Sequence, residues 1–312
     1  MNKPAILVTD TLFILPEHEE MIRAAGYDIE RLPTATASEE ELIQHIKGKV
    51  GYVLGGIEKV TDKVIEAADE LKAIAFTGAD WRAIMPGHEK ATAKSIAIAN
   101  APGANADAVA EYTIALILAM VRDLFEGGRT GTTKFRTTPS LNQLTVGIVG
   151  MGRIGGKVAR ILKVLGTKEI LYFSREQKPE VEQETGAKFV NMDELLSRSD
   201  VITLHASKEA CAGYIGKVEL AKMRDNTILV NCGFTGSVDK DALYEELKSG
   251  RLRAVQDDPM DERFNNLSLS AWFNSNSHRA YNTFQAAKVA SDMATRSLLN
   301  MLATGKDQYK VN

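Results

Sequence analysis

Three glycines with a fixed spacing lie between an apolar run and a helical pattern. The apolar run is Val146–Val149, the turn reads Gly150-x-Gly152-x-x-Gly155, and apolar residues then recur at helical spacing up to Leu165. Gly150 permits a tight turn, Gly152 leaves the backbone open to a pyrophosphate, and Gly155 lets the helix pack close to the strand. The first N–H groups of the helix would bind the phosphates. This pattern predicts a dinucleotide site, with contacts from Gly150, Gly152, Arg153, Ile154 and Gly155.

The end of the next predicted strand indicates which dinucleotide is bound. Sites that bind NAD place an acidic residue about 20 residues beyond the glycine turn, where it takes the ribose hydroxyls. Here that position holds Ser174, followed by Arg175, with Lys178 nearby. A hydroxyl and a guanidinium would bind a 2′-phosphate, which a carboxylate would repel. We therefore expect NADP(H) to be preferred over NAD(H).

The composition is that of a soluble globular protein and argues against several classes of partner. The chain has 312 residues with 44% hydrophobic and 25% charged content, enough for two domains. The formal net charge of −3 gives no reason to expect nucleic acid or an anionic membrane as a partner. The longest apolar stretch, Thr113–Val121, is too short to span a bilayer, and the N-terminus does not resemble a signal peptide. The chain has only two cysteines, Cys211 and Cys232, and they lack metal-ligand spacing, so we expect no metal site. Because so few cysteines fit a reducing compartment, we expect a cytoplasmic location.

Strands and helices alternate along the chain, which predicts an α/β fold whose parallel sheets carry helices on both faces. Ser38 with Glu41 forms a capping box at the start of one predicted helix. A long apolar helix is expected over about 106–125, ended by Gly127-Gly128. Strands are predicted at Ala5–Thr9, Tyr52–Leu54, Leu71–Phe76, Ile96–Ala99, Val146–Val149, Ile170–Phe173, Val201–His205, Ile228–Asn231 and Arg253–Gln256.

A proline and glycine break at Asn100–Gly103 marks the expected domain boundary. The last predicted helix, about Thr283–Leu302, is amphipathic and is expected to return to the first domain. We therefore expect a discontinuous substrate domain, 1–99 with 285–312, and a dinucleotide-binding domain over 100–284.

Several segments together resemble the D-2-hydroxyacid dehydrogenase family over nearly the whole chain. Asn100–Glu111 is similar to the segment that opens the family's nucleotide domain, and the glycine turn follows at the usual distance. Asn231–Gly236, Asp257–Glu262 and His278–Thr283 fall where the family has its catalytic motifs. The resemblance implies two doubly wound parallel-sheet domains, a Rossmann nucleotide domain and a flavodoxin-like substrate domain. It also implies a homodimer formed through the nucleotide domain.

The resemblance assigns roles to individual residues. His278 matches the family's catalytic histidine, which exchanges a proton with the substrate oxygen while a hydride passes between nicotinamide and substrate. Glu262 matches the glutamate that favours the protonated imidazole, and Thr283 matches the threonine of the histidine motif. The further cofactor contacts that it implies are His205, Cys232, Gly233 and Asp257. The substrate contacts that it implies, in a cleft between the domains, are Gly55, Gly78, Ala79, Arg82 and Phe234.

Phe234 is the main departure from the family pattern. The family has an arginine there, which holds the carboxylate of a 2-oxoacid and polarises its carbonyl group. Phenylalanine has neither a charge nor a donor, so several kcal/mol of transition-state stabilisation should be lost. Ser277 replaces the usual proline of the histidine motif, and Asp258–Met260 replaces the usual apolar pair.

Three explanations of this departure are open. Another cation, Arg82 or Arg279, could supply the charge. The substrate could instead be a ketone, aldehyde or imine without a 2-carboxylate, held by an aromatic wall. Thirdly, the protein could bind the cofactor as a ligand that sets its conformation or assembly. The residues that would form the aromatic wall are Trp81, Phe234, Trp272, Phe273 and Tyr281.

We expect an NADP(H)-dependent oxidoreductase that acts on a small oxo or hydroxy compound, either 2-oxoacid-like or an atypical carbonyl. The alternative is a catalytically silent regulator or scaffold that binds a nicotinamide dinucleotide. His278 and Glu262 favour the enzyme, because a silent site has no chemical need for an acid/base pair. Phe234 favours the alternative.

Overall fold

The chain folds as two units, each built around its own parallel sheet. The computed structural model describes residues 3–10, 14–130, 137–206, 214–275 and 279–312. One unit comprises Met1–Asn105 with Thr283–Asn312, and the other comprises Ala106–Asn282. The expected boundaries, 99/100 and 284/285, differ from this division by six and two residues.

The first unit has a five-stranded parallel sheet in the order β2-β1-β3-β4-β5. This is the flavodoxin-like order, in which helices cover both faces and strands read as continuous apolar runs. All six residues of β3 are buried, for example. The strands are β1 Ala5–Thr9, β2 Asp28–Leu32, β3 Lys49–Leu54, β4 Ala73–Phe76 and β5 Ala97–Ala99. The helices before the second unit are α1 Pro16–Ala24, α2 Glu39–His45, α3 Asp62–Ala67, α4 Trp81–Ile84 and α5 His88–Ala93.

The last helix of the chain also belongs to this unit. It spans Phe284–Thr304, here called α13, and Thr283 caps its N-terminus by accepting a hydrogen bond from the N–H of Ala286 at 3.1 Å. Gly51 in β3 has no side chain, and a Cβ there would lie 3.2 Å from a methyl carbon of Leu302 and 3.4 Å from one of Leu298. The helix therefore packs closely on the sheet.

The second unit has a seven-stranded parallel sheet in the order β12-β11-β10-β9-β6-β7-β8. Read from β8, this is the doubly wound dinucleotide-binding order with a further strand at one edge. The prediction of two doubly wound parallel sheets is therefore confirmed. The strands are β6 Thr145–Val149, β7 Glu169–Phe173, β8 Lys188–Phe189, β9 Val201–Leu204, β10 Ile228–Asn231, β11 Arg253–Gln256 and β12 Trp272–Asn274. The helices are α6 Ala106–Val121, α7 Leu124–Thr130, α8 Arg153–Val164, α9 Pro179–Thr185, α10 Met192–Arg198, α11 Lys217–Lys222 and α12 Lys240–Lys248.

The prediction of one helix from 106 to 125, ended by Gly127-Gly128, was wrong. The first helix stops at Val121, and both glycines lie inside α7. The break falls at Asp123, whose backbone has a φ of 53°, a left-handed value that cannot continue a helix. Asp123 is held in this place by side-chain contacts, since Ser270 donates a hydrogen bond to its carboxylate at 2.7 Å.

None of the helices in the described ranges combines the length and apolar character needed to cross a membrane. Three strands were not predicted from the sequence, namely β2, β8 and β12. β2 contains three charged residues in five and lies at a sheet edge, whereas β8 and β12 are only two and three residues long.

Candidate active site

The glycine turn between β6 and α8 has the geometry that a dinucleotide phosphate requires. Gly150 has a φ of 99°, and a Cβ there would lie 2.6 Å from the backbone nitrogen of Ala206. A Cβ on Gly155 would overlap the carbonyl oxygen of Gly150, so the helix can approach the strand only with glycine at this position. At Gly152, by contrast, a Cβ would find no described atom within 4 Å. The turn is therefore closed on the protein side and open where a pyrophosphate would lie.

Side chains predicted to surround the cofactor follow the carboxyl ends of neighbouring strands. The hydrogen-bond ladder continues one residue beyond the strands, because the N–H of His205 donates to Val149 O at 2.7 Å and that of Asp257 donates to Asn231 O at 3.1 Å. The N–H of Gly150 likewise donates to Phe173 O at 2.7 Å. These residues are thereby aligned along one edge of the sheet, where doubly wound folds bind their ligands.

The loop after β7 brings together the residues predicted to select the cofactor. Arg175 is exposed, and within the described residues its guanidinium makes neither a hydrogen bond nor an ion pair. Lys178 differs, because its ammonium pairs with Glu176 at 3.2 Å. The hydroxyl of Ser174 donates to the Glu176 carbonyl oxygen. The sequence interpretation overlooked Glu176, a carboxylate whose charge opposes a bound phosphate.

His205, at the end of β9, has an imidazole that is neutral at physiological pH. Removal from water lowers the pKa of the ring to about 4, because burial disfavours the charged form. The hydroxyl of Thr203 lies 2.9 Å from Nε2. A neutral ring beside the turn fits a cofactor contact better than a proton donor.

Cys232 follows β10 and is partly buried, packed against a hydrophobic core that includes residues of α6. Burial raises the pKa of the thiol to about 12, with a smaller opposing effect from a hydrogen bond to Thr113 and further increases from Asp257 and Asp258. A thiol with this pKa is a weak nucleophile, so Cys232 can line the site without reacting. Gly233 is exposed, and its N–H donates to the side-chain oxygen of Asn231 at 3.0 Å.

Phe234, which the sequence resemblance aligns with the family's arginine, has its ring against apolar neighbours. It lines a small pocket with side chains at the ends of β6 and β9, including Val149 and Leu204. A Cβ on Gly236 would overlap the ring, so glycine at that position makes room for it. The carbonyl oxygen of Phe234 accepts a hydrogen bond from Ser237 Oγ at 2.7 Å. Phe234 thus supplies apolar surface at this edge of the sheet.

Asp257, at the end of β11, is buried, and its carboxylate accepts three hydrogen bonds. The donors are Ser275 Oγ at 2.5 Å, the N–H of Arg279 at 3.0 Å and the N–H of Ala280 at 2.9 Å. Buried carboxylates are costly unless they are hydrogen-bonded, and these bonds satisfy both oxygens. The sequence interpretation placed Asp257 against the cofactor and did not identify Ser275.

Of the two residues predicted to carry acid/base chemistry, the structure describes only Glu262. His278 lies outside the described residues, as does Ser277. Glu262 opens a short 3-10 turn, Glu262–Asn266, and is exposed. In the part of the chain that the structure covers, its carboxylate makes no hydrogen bond or ion pair.

Arg279 and Arg82, the two candidates for the missing cation, are both exposed. Arg82 stacks on Trp81, with its guanidinium carbon 4.4 Å from the ring centroid. The guanidinium of Arg279 has no hydrogen bond or ion pair to a described residue, and its charge opposes the rise that burial causes in the pKa of Tyr112.

The predicted substrate contacts of the first unit lie at the carboxyl edge of its sheet. The N–H of Gly55 donates to Thr9 Oγ1 at 3.2 Å, and the carbonyl oxygen of Gly78 accepts from the N–H of Ala101 at 3.0 Å. Ala79 is exposed, and its carbonyl oxygen accepts from Asn100 Nδ2 at 2.8 Å. Of the proposed aromatic wall, Trp81 and Trp272 are buried in hydrophobic cores.

Among described residues, one group of acids with a histidine has ligand atoms close enough for a metal: Glu17, His18 and Asp292. Lys288 pairs with both acids. His18 Nδ1 accepts the N–H of Leu15 at 3.1 Å, and Nε2 lies 3.1 Å from Asp292. These contacts account for the group as an ion-pair cluster between α1 and α13.

Comparisons with known proteins agree with this geometry. The D-isomer specific 2-hydroxyacid dehydrogenase NAD-binding domain matches residues 114–277. The chain is 36% identical over 266 residues to D-3-phosphoglycerate dehydrogenase of Methanocaldococcus jannaschii. The match covers 82% of this chain and 49% of that protein. It is 34% identical over 275 residues to glyoxylate reductase of Thermococcus litoralis, covering 83% and 81% respectively.

The fold matches the crystal structure of the TT0316 protein from Thermus thermophilus with a TM-score of 0.87 and 26% identity, covering 99% of this chain and 100% of that one. The chain spans about half the length of the curated phosphoglycerate dehydrogenases that it matches. It belongs to the D-isomer specific 2-hydroxyacid dehydrogenase family.

Proposed function

We propose that this protein is an NADP(H)-dependent oxidoreductase that interconverts a small oxo compound and the corresponding hydroxy compound. The observation that carries the proposal is the turn at Gly150–Gly155, which is closed on the protein side and open at Gly152. The named activities of the relatives support an oxidoreductase. A nicotinamide bound at this turn would supply or accept the hydride.

The proton of the reaction is assigned to His278. Its imidazole would give a proton to the substrate oxygen in reduction and take it back in oxidation. Glu262 would favour the protonated imidazole through its negative charge. Both assignments come from the matching motifs of the family.

The substrate is a small carbonyl compound whose anionic group, if it has one, meets a cation other than the family's arginine. Phe234 offers only apolar surface at that position. Arg279 and Arg82 are the candidates, since the guanidinium of each is exposed. Turnover of glyoxylate and of glycolaldehyde by Arg82→Ala and Arg279→Ala variants tests this. Selective loss of glyoxylate turnover identifies the cation, whereas equal effects on both substrates indicate that no cation binds a carboxylate.

The preference for NADP(H) rests on the exposed guanidinium of Arg175, which pairs with none of the described residues, and on Ser174 in the place of an acid. Fluorescence titration with NADPH and NADH tests it. We expect wild type to bind NADPH more tightly, Arg175→Ala to weaken NADPH binding about tenfold, and NADH binding to stay unchanged, because one charge-assisted hydrogen bond contributes about 1.5–3 kcal/mol. Glu176→Gln is the matched variant and should tighten NADPH binding by removing a like charge. Tighter binding of NADH by wild type would contradict the proposal.

A catalytically silent dinucleotide-binding regulator is the second candidate, and Phe234 favours it. Absorbance at the nicotinamide band, followed with a panel of 2-oxoacids, ketones and aldehydes, separates the two. Turnover that His278→Ala abolishes supports the enzyme. Tight NADPH binding without turnover of any compound supports the regulator.

A further inference from the structure

The loop after β7, which carries Arg175, is held at both ends by hydrogen bonds. At its start, the carbonyl oxygen of Phe173 accepts the N–H of Gly150 at 2.7 Å, which joins the end of β7 to the glycine turn. At its end, the N–H of Lys178 donates to the hydroxyl oxygen of Tyr172 at 2.7 Å. Arg175 therefore lies on a short stretch of chain between two fixed points.

The hydroxyl of Tyr172 connects this loop to the helix that follows it. The ring of Tyr172 is fully buried in a core that includes residues of α6 and α8. Its hydroxyl donates to Glu182 Oε1 on α9 at 2.7 Å, and Gln177 Nε2 donates to the same oxygen at 3.0 Å. Burial and the bond to Glu182 raise the pKa of Tyr172 to about 12, so the hydroxyl keeps its proton and can donate while it accepts.

The ring and the hydroxyl of Tyr172 have separable roles. A phenylalanine would supply the same apolar ring to the core, but it would lose both hydrogen bonds to the loop and to α9. The other polar contacts of the loop join its own residues to each other. The hydroxyl of Ser174 donates to the carbonyl oxygen of Glu176, and Lys178 pairs with the carboxylate of Glu176 at 3.2 Å. The Tyr172 hydroxyl thus ties the loop to the sheet.

We propose that the hydroxyl of Tyr172 positions the loop 174–178 so that Arg175 can bind the 2′-phosphate of NADP(H). Tyr172 is then a positioning residue for cofactor selection that acts through the loop. The inference rests on the proposed function, because that function assigns Arg175 to the 2′-phosphate. A guanidinium binds phosphate through directional hydrogen bonds, so a displaced loop weakens this contact. NADH lacks the 2′-phosphate, and its binding depends less on where Arg175 lies.

Fluorescence titration of the full-length chain with NADPH and NADH tests the proposal. We expect Tyr172→Phe to weaken NADPH binding about three- to tenfold and to change NADH binding less than about twofold. In an Arg175→Ala background, Tyr172→Phe should change NADPH binding less than about twofold, because both substitutions remove the same contact.

Tyr52→Phe is the matched control for these titrations. Tyr52 is also fully buried, and its hydroxyl donates to a carboxylate, Glu58 Oε1, at 3.0 Å. It belongs to the other unit, so its loss should leave both affinities unchanged.

Amide hydrogen exchange of the protein without cofactor reports on the loop itself. The N–H of Lys178 should exchange at least about tenfold faster in Tyr172→Phe, because it loses its acceptor. The N–H of Val190, which donates to the backbone oxygen of Tyr172 at 3.0 Å, should be unaffected, because the substitution keeps that bond.

Equal weakening of NADPH and NADH binding by Tyr172→Phe would show that Tyr172 only stabilises the fold, and would overturn the proposal. Additive effects with Arg175→Ala, or unchanged exchange at Lys178, would overturn it as well. A wild-type protein that binds NADH more tightly than NADPH would instead overturn the proposed cofactor preference. Exchange at Lys178 would then still decide whether the hydroxyl holds the loop.

Discussion

Gly155 and Gly156 are neighbours in α8 but have very different surroundings. A Cβ on Gly155 would overlap the backbone oxygen of Gly150, whereas one on Gly156 would lie 3.3 Å from the flexible end of Arg160. We therefore expect Gly155→Ala to destabilise the protein by about 1–3 kcal/mol through overpacking. Gly156→Ala, the matched control, should be neutral or stabilising by up to about 1 kcal/mol, because alanine is the better helix former. Urea unfolding measures both, and equal effects would mean that the close approach at Gly155 is not a constraint.

His205 should make stability depend on pH in a defined window. The folded chain binds a proton at this ring only near pH 4, whereas the unfolded chain binds one near pH 6.5. Stability is therefore lost as the pH falls from about 6.5 towards 4, by at most about 1.4 kcal/mol per pH unit. We expect His205→Gln to show a shallower loss across this window in urea unfolding. Between pH 7 and 8, where neither state titrates at this ring, the difference between variant and wild type should be constant. Parallel curves from pH 7 to pH 4 would contradict the assignment.

At the scale of the element, the capping box at the N-terminus of α2 is a local hydrogen-bonding pattern that the sequence alone predicted. Ser38 Oγ accepts from the N–H of Glu41 at 3.2 Å, and Glu41 Oε2 accepts from the N–H of Ser38 at 2.8 Å. We expect Ser38→Ala to lower the free energy of unfolding by about 1 kcal/mol, because one helix donor loses its partner. Glu40→Ala, an exposed neighbour outside the box, should change it by less than about 0.5 kcal/mol. If Ser38→Ala lowers the free energy of unfolding no more than Glu40→Ala does, the capping box does not stabilise the protein.

At the scale of the whole molecule, each unit has its own hydrophobic cores, and the last helix belongs to the core of the first unit. Leu298 on α13 is fully buried there. We expect Leu298→Ala to destabilise the first unit by about 2–5 kcal/mol, because the lost side chain leaves a cavity. Hydrogen exchange should quicken in β3 and stay unchanged in β6. Arg296→Ala, exposed on the same helix, is the control, and equal acceleration in both strands would show that the units unfold together.

Local patterns in the sequence determined much of the fold of this protein. The glycine turn, the capping box and the buried strands such as β1, β10 and β11 were predicted, because strand burial and turn geometry depend on residues close in the chain. The short or charged strands β2, β8 and β12 were missed, since they form by pairing with distant strands.

Only the tertiary structure decided where the long helix ends and what Asp257 contacts. A left-handed Asp123 stops α6 at Val121, and the carboxylate that stabilises this break is bound by Ser270, far along the chain. The three donors to Asp257 likewise come from the segment after β12. Hydrogen bonds between residues far apart in sequence leave no periodic pattern, so the amino-acid sequence predicted the position of Asp257 at a strand end but not the partners of its carboxylate.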